Sequence, residues 1–327
     1  MSDAVRDRAV PTTLSPGWRR NLLPSILFAC FALAPLAATF GAEGYILSLL
    51  MRVMIFGLAA MSLDLILGYG AMVSFGHAAF FGIGAYGVGI LASHGIEDAA
   101  LQLPVVLLAS AVFALATGAI SLRTKGVYFI MITLAFGQML FFLATSLANY
   151  GGDDGMTLYS RSTLFGAPVL ESDFGLYYGT LICLGGCYLL YRSIVASRFG
   201  RVLRGCRDNA VRMEAIGYHP FRYQLAAYVI SGMTAGLAGF LLANQAEFIS
   251  PAFMTWQRSG ELIFMVILGG LASLHGAIVG AAAFLLLEEY LAGITEHWKM
   301  LFGPILILVV LFARGGIMGV LKRGAHD

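Results

Sequence analysis

Apolar runs of about 20 residues recur along this chain of 327 residues, and each is long enough to cross the hydrocarbon core of a bilayer as a helix. Only 12% of the residues are charged and 59% are hydrophobic, whereas soluble domains carry about 25% charged residues. The short alternating strands of a membrane barrel are not visible. The sequence therefore predicts an all-α integral membrane protein, a polytopic helix bundle of about ten transmembrane segments with broken helices.

Ten spans are predicted, of which the eighth and the tenth are short: 22–40, 45–67, 74–93, 102–122, 126–148, 175–194, 222–244, 260–273, 275–292 and 300–313. They divide the chain into an N-terminal tail (1–21), a transmembrane domain (22–313) and a C-terminal tail (314–327). Sixteen of the 20 Lys and Arg residues fall on one side of this topology and three on the other. Because basic loops remain in the cytoplasm, both tails are predicted to be cytoplasmic.

Glycine accounts for 40 residues and clusters inside the predicted spans. Small residues four positions apart recur at Gly232/Gly236, Ala235/Gly239 and Gly276/Gly280. This spacing lets helix backbones approach closely in a membrane, where lipid provides no hydrophobic drive between helices. The pattern predicts a tightly packed bundle.

The longest charged passage between two spans is Ser197–Arg222, which holds six of the 20 basic residues. At helical spacing its apolar residues form one narrow stripe, consisting of Leu203, Cys206, Ala210 and Met213. The sequence therefore predicts a short amphipathic helix between two membrane spans.

The polar face of this helix carries Arg204, Asp208 and Arg212 four residues apart, so acid and base can pair along it. Gly217 and Pro220 then favour its end. From the residues alone, two interpretations stand side by side. The helix docks on a partner protein, or it rests among the lipid headgroups.

Residues 63–86, LDLILGYGAMVSFGHAAFFGIGAY, join two predicted spans almost without a polar linker. Their glycines and polar side chains predict broken helix at membrane depth, which is tolerated only in contact with protein or with a water-filled cavity. Broken helices in transporters mark such cavities. The candidate residues for a translocation pathway are Ser74, Gly76, His77, Phe80, Gly82 and Tyr86. The alternative is a tight cytoplasmic turn in which His77 caps a helix.

A second break is predicted at 268–277, where Ser273 precedes His275 much as Ser74 precedes His77. Ionisable residues inside spans are functional candidates by default, and here they are Arg52, Asp64, Glu261, Glu288 and Glu289. No GxxxxGK[ST], HExxH or GxSxG motif is present. No catalytic residue or metal site is therefore predicted, and active transport would need an ion gradient or a separate subunit.

The run LGYGAMVSFGHAAFFGIGAY resembles the signature of the branched-chain amino acid ABC importer permeases of the LivM type. The run CRDNAVRMEAIGYHPFRYQLAAYVISGMTAGLAGFL resembles a second part of that signature. GGDDG, ILGGLASLHGAIVGA and RGGIMG also match the order of features in the family. The resemblance covers about residues 45–320.

The resemblance implies a transmembrane permease subunit of the bacterial cell inner membrane. Such a subunit moves branched-chain amino acids, or a related small polar metabolite, by alternating access. The implied partners are a second, LivH-type permease, two cytoplasmic ATPases and a periplasmic solute-binding protein. ATP and Mg²⁺ would be bound by the ATPases, and neither a cofactor in this chain nor a nucleic-acid partner is implied.

The resemblance also implies roles for two segments. Residues 196–221 would be the cytoplasmic coupling segment that docks on an ATPase, through Leu203, Arg204, Cys206, Asp208, Ala210, Met213, Glu214, Ala215 and Gly217. In the acidic external loop at about 149–174, Asp153 and Asp154 would face the binding protein. The competing hypotheses are a gradient-driven secondary transporter or channel without ATPase subunits, and a membrane scaffold or receptor subunit without a pathway.

Overall fold

The computed structural model describes residues 17–38, 43–294, 297, 300–304, 307 and 315–323. The α-helices with defined bounds are α1 (Gly17–Ala38), α2 (Glu43–Leu67), α3 (His77–Ser93), α4 (Ala99–Ser121), α5 (Val127–Ser146), α6 (Asp173–Ala196), α7 (Arg198–Ala215), α8 (Pro220–Ala246), α9 (Trp256–Gly269), α10 (Leu274–Ile294) and α11 (Gly316–Arg323), and residues 300–304 are also helical. Two short strands, β1 (Met156–Thr157) and β2 (Phe248–Ile249), pair antiparallel. The prediction of a helical bundle is confirmed.

Side-chain caps determine where several of these helices begin. The carboxylate of Asp98 accepts a hydrogen bond from the amide of Ala100 at the start of α4. The hydroxyls of Ser172 and Ser197 do the same at the starts of α6 and α7. Each side-chain oxygen satisfies an amide that has no partner within the first turn of its helix.

Six helices of the described chain are long and apolar enough to cross a membrane: α2, α4, α5, α6, α8 and α10. The apolar helix α3 has 17 residues and α9 has 14, so both are short for a full crossing. The predicted span 300–313 lies mostly outside the described residues. The predicted count of about ten spans is therefore not confirmed, whereas an integral membrane bundle is.

Helices α2 and α8 form the centre of the bundle. Within the apolar windows of these helices 72% and 67% of the residues are buried, against 22–28% in α4, α5 and α6. Helix α8 packs on α2, α3 and α4, while α10 packs on α2 and α9. Neither α2 nor α8 has one continuous polar face, as expected of helices that are surrounded by other helices.

The central helices touch through glycine, as the small-residue pattern predicted. A Cβ atom on Gly84 of α3 would collide with the carbonyl oxygen of Gly236 in α8. A Cβ on Gly239 would collide with the carbonyl of Phe81, and one on Gly280 with that of Met265. The prediction of close backbone contact at the small-residue pairs is thus confirmed for these positions.

A single methyl group should disturb the contact between α3 and α8. We expect Gly84→Ala to lower the stability of the solubilised protein by about 1–3 kcal/mol, because neither backbone can retreat without loss of packing elsewhere. Gly186→Ala in α6 is the matched control, since no atom lies within 4 Å of its Cβ position. The thermal unfolding midpoint should fall for Gly84→Ala alone, and equal midpoints for the two variants would contradict the contact.

Candidate functional site

The first break lies between α2 and α3, over residues 68–76. The amide of Gly68 donates to the carbonyl of Asp64 at 2.7 Å, and that of Met72 donates to Ile66 at 2.9 Å, so the chain turns back on the end of α2. Further on, a Cβ atom on Gly76 would collide with the carbonyl of Thr133 in α5. The non-helical backbone is therefore packed against protein, which is one of the two surroundings that a membrane permits.

All six predicted pathway residues are buried within this chain: Ser74, Gly76, His77, Phe80, Gly82 and Tyr86. The Nε2 atom of His77 lies 2.9 Å from the hydroxyl of Ser62 in α2. The Phe80 ring packs edge-on against His77 and Tyr228. These side chains tie α3 to its neighbours, and their assignment to a translocation pathway stays a prediction.

His77 does not cap α3, as the alternative interpretation of this stretch required. The residue before the helix is Gly76, which has no side chain to cap it. The imidazole reaches across to Ser62, and the amide of Ala78 is satisfied at 3.0 Å by the hydroxyl of Ser259 in α9. The start of α3 is thus held by α2 and α9.

The second break lies between α9 and α10, and it touches the first. Ala272 has a left-handed backbone, with φ of 57°, which is uncommon for a residue other than glycine. Its amide donates at 2.8 Å to the Oδ1 atom of Asp64 in α2. A Cβ on Gly68 would collide with both this carboxyl group and the Ala272 amide. Asp64, predicted as a functional candidate, therefore joins the two breaks.

The predicted amphipathic helix is α7, but it is bent. Asn209 is extended, with φ of −161° and ψ of 98°, and its side chain accepts a hydrogen bond from the amide of Arg212 at 2.9 Å. Asn209 thus caps a second short helical piece. Because of the bend, Asp208 pairs with Arg207 at 3.1 Å and not with Arg212 as predicted. Arg204 instead donates to the carbonyl oxygens of Gly200 and Val195.

The predicted apolar stripe of α7 faces its own chain. Leu203 and Cys206 are buried, and burial raises the pKa of the Cys206 thiol, which keeps it neutral. Ala210 and Met213 are half-buried, and Met213 folds back over Gly205. The remaining residues predicted to contact an ATPase are exposed or half-exposed: Arg204, Asp208, Glu214, Ala215 and Gly217. Which of them touch an ATPase stays a prediction.

Sequence reasoning missed the apolar side chains that α7 and its end present outward. Val211 is 70% exposed and Ile216 is 63% exposed, although both are large and apolar. Both residues are visible as apolar in the sequence. The predicted stripe does not include them because it assumes one straight helix. The bend at Asn209 rotates the last turns relative to the first, so the outward apolar face differs from the predicted one.

Helix α7 also binds the first break directly. The Nη1 atom of Arg207 donates to the carbonyl oxygen of Gly68 at 2.9 Å. A hydrogen bond from a charged donor is stronger than one between neutral groups. Gly68 in turn packs against Asp64 and Ala272. The two breaks and α7 therefore meet at Gly68.

At the opposite ends of α6 and α8, the loop 147–172 is fastened to the bundle. Strand β1 pairs with β2, and Arg161 forms salt bridges with Asp173 at 2.7 Å and Glu247 at 2.8 Å. Asp153 and Asp154 are exposed on this loop, and their role in docking stays a prediction. Among the described residues, no three His, Cys, Asp or Glu side chains are grouped as metal ligands.

Six membrane-length helices form an integral membrane bundle, and each of the two packed breaks joins a membrane-length helix to a shorter one. Residues 45–311 match the family described as branched-chain amino acid transport system, permease component, and the chain belongs to this family.

Several curated relatives carry names from the same family. The chain is 25% identical to the LivM permease protein of Salmonella typhimurium strain LT2, a high-affinity branched-chain amino acid transport system protein, over 81% of this chain and 68% of the relative. The LivM protein of Escherichia coli K12 is 25% identical over 83% and 71%, respectively. A probable LivM protein of Methanocaldococcus jannaschii is 23% identical over 80% of this chain and 89% of the relative. No solved structure matches the chain.

Removing the guanidinium of Arg207 should separate α7 from the first break. We expect Arg207→Gln to reduce transport by about tenfold or more while the protein still assembles, since a hydrogen bond from a charged group contributes about 1.5–3 kcal/mol. Arg201→Gln is the control, because Arg201 donates to the carbonyl of Ala196, the last residue of α6, and not to either break among the described residues. The ratio of solute transported to ATP hydrolysed measures the effect, and unchanged ratios in both variants would contradict a role for Arg207.

Proposed function

We propose that this chain is one of two permease subunits of an ATP-driven importer for branched-chain amino acids. It works with a LivH-type permease, two cytoplasmic ATPases that bind ATP and Mg²⁺, and a periplasmic binding protein. It crosses the bacterial inner membrane about ten times, with both termini in the cytoplasm. Its family membership and the names of its relatives support the substrate class.

The observation that carries this proposal is the hydrogen bond between Arg207 of α7 and Gly68 of the first break. An amphipathic helix that only rested among headgroups would not need a bond to irregular backbone inside the bundle. A helix that receives movement from an ATPase needs such a connection. We therefore assign α7 to the coupling segment, 196–221, and the two breaks to the part of the bundle that changes between states.

The outward apolar residues of α7 supply the contact with the ATPase. Val211 and Ile216 are exposed, and Glu214 and Ala215 lie beside them. Exposed apolar groups flanked by charge are typical of the centre of a protein interface. Leu203 and Cys206 have a different task, since they hold α7 on the permease.

A charge placed on this surface should detach the ATPases. We expect Val211→Asp and Ile216→Asp to abolish co-purification of the ATPases and uptake, because a buried unpaired carboxylate costs several kcal/mol. Val169→Asp is the matched control, since Val169 is an exposed valine of the opposite loop. Normal ATPase yield and uptake in both α7 variants would refute the proposed surface.

The acidic turn on the external loop is the proposed contact for the binding protein. We expect the double variant Asp153→Asn, Asp154→Asn to need more binding protein for half-maximal uptake, and to show a weaker dependence on salt, because surface charges mainly steer association. Glu97→Gln is the control, an exposed acid on the neighbouring α3–α4 connection. Identical half-saturation across a salt series would speak against this contact.

Reconstitution separates ATP-driven import from the gradient-driven alternative. The permease pair, the ATPases and the binding protein are placed in vesicles, and uptake of labelled leucine is followed with and without ATP. Uptake that requires ATP and the ATPases supports the proposal. Uptake by the permease alone, driven by an ion gradient, would replace it with the secondary transporter.

A further inference from the structure

A cavity of about 300 Å³ lies among α2, α3, α8 and α9. Its polar wall consists of Ser48, Arg52, Gln245 and Arg258. Its apolar wall includes Phe56, Phe81, Leu242 and Leu262. This volume is at the small end of ligand sites, and an apolar pocket with a few convergent polar groups is the usual form of such a site.

Two arginines converge on one aromatic ring at the polar wall. The guanidinium carbons of Arg52 and Arg258 both lie 5.9 Å from the centre of the Phe56 ring. Arg52 is 3.7 Å from a carboxylate oxygen of Glu288, which exceeds a hydrogen-bond distance. Guanidinium groups bind carboxylates through paired N–H donors, so two of them beside one cavity suit a carboxylate ligand.

The charges at this cavity cannot face lipid. Arg52 lies about 13 Å along α2 from its first residue, at 1.5 Å per residue, and is therefore well inside a membrane-length helix. The side chains of Arg52 and Arg258 are 33% and 32% exposed in this chain. Exposed charge at such depth is found beside protein or a water-filled cavity. The cavity is thus on the aqueous or subunit-facing side of the bundle.

Each arginine of the cavity has an acidic neighbour that is not part of the cavity lining. Arg258 pairs with Glu261 at 2.7 Å, and Glu288 accompanies Arg52. A ligand with a net charge would unbalance these ion pairs, whereas a zwitterion would not.

We propose that this cavity is the transit site for a zwitterionic α-amino acid with an aliphatic side chain, an inference that rests on the proposed function. The carboxylate lies at Arg52 and Arg258, and the side chain packs on Phe81, Leu242 and Leu262. Gln245 and Ser48, which hydrogen-bond each other at 2.9 Å, complete the polar wall. Since both arginines already have acidic neighbours, the site binds weakly enough to release its ligand, as transport requires.

Protection of an introduced thiol tests this site without ATP hydrolysis. Ser48→Cys is placed in a chain whose four native cysteines are replaced, and the complete complex is labelled with a small aqueous thiol reagent, with and without a non-hydrolysable ATP analogue. L-leucine should slow labelling in at least one of these states. 4-Methylpentanoate, which lacks the ammonium, and 3-methylbutylamine, which lacks the carboxylate, should require about tenfold higher concentrations or more. No protection in either state, or equal protection by all three compounds, overturns the proposal.

Charge variants in the same assay locate the contact. Arg52→Gln and Arg258→Gln should each raise the leucine concentration for half-protection by about tenfold or more. Glu289→Gln should leave it unchanged, because Glu289 does not line the cavity and bonds to Tyr45. The rate of labelling without ligand shows whether each variant assembles. If Arg52→Gln does not assemble, the test uses Arg258→Gln alone. Unchanged protection in the assembled arginine variants overturns the site, whereas absence of ATP-driven uptake by the wild-type complex would overturn the proposed function instead.

Discussion

The bond between the carboxyl group of Asp64 and the amide of Ala272 is the interaction on which the arrangement of this bundle depends. Asp64 is buried and Ala272 is half-buried, and leaving a buried polar group without its partner costs about 1–3 kcal/mol. The bond also holds Ala272 in a left-handed conformation that its Cβ atom disfavours. One side chain of the central helix α2 thereby fixes where α9 ends and where α10 begins. Residue 68 has to be glycine because the Asp64 carboxyl group and the Ala272 amide fill the space that a Cβ atom would need.

The same point in the fold connects the membrane bundle to α7. Arg207 reaches the carbonyl of Gly68, so the polar helix, the break after α2 and the break after α9 share adjacent backbone. Arg207 satisfies a carbonyl of the first break, and Asp64 near the end of α2 satisfies an amide of the second. A displacement of α7 therefore acts on both breaks together, while the glycine contacts of α8 with α3 leave that part of the bundle little room to deform.

Much of this fold follows from the sequence, and the reasons differ between elements. The long helices α2, α4, α5, α6, α8 and α10 were predictable because about 20 apolar residues in lipid have no alternative to a helix. The breaks were predictable because glycine and polar residues interrupt those runs. The partner of Asp64 was not, since it lies 208 residues further along the chain and is a backbone amide, which carries no residue-specific signal. The bend at Asn209 was also hidden, because an asparagine within a helical pattern is compatible with both a straight helix and a new cap.

Helix α8 has 27 residues and is therefore about 40 Å long. The residue that ends it, Glu247, is held by Arg161 of the loop 147–172, and its other end follows α7 after a four-residue connection that turns at Gly217, with φ of 91°. Glycine packing against α3 stiffens the length between these two attachments. A rigid α8 would tilt about its contact with α3. A tilt of about 3° about Gly236 moves the α7 end of α8, about 24 Å away at 1.5 Å per residue, by about 1.3 Å. A smaller movement at the end held by Arg161 therefore accompanies a larger one at the end next to α7.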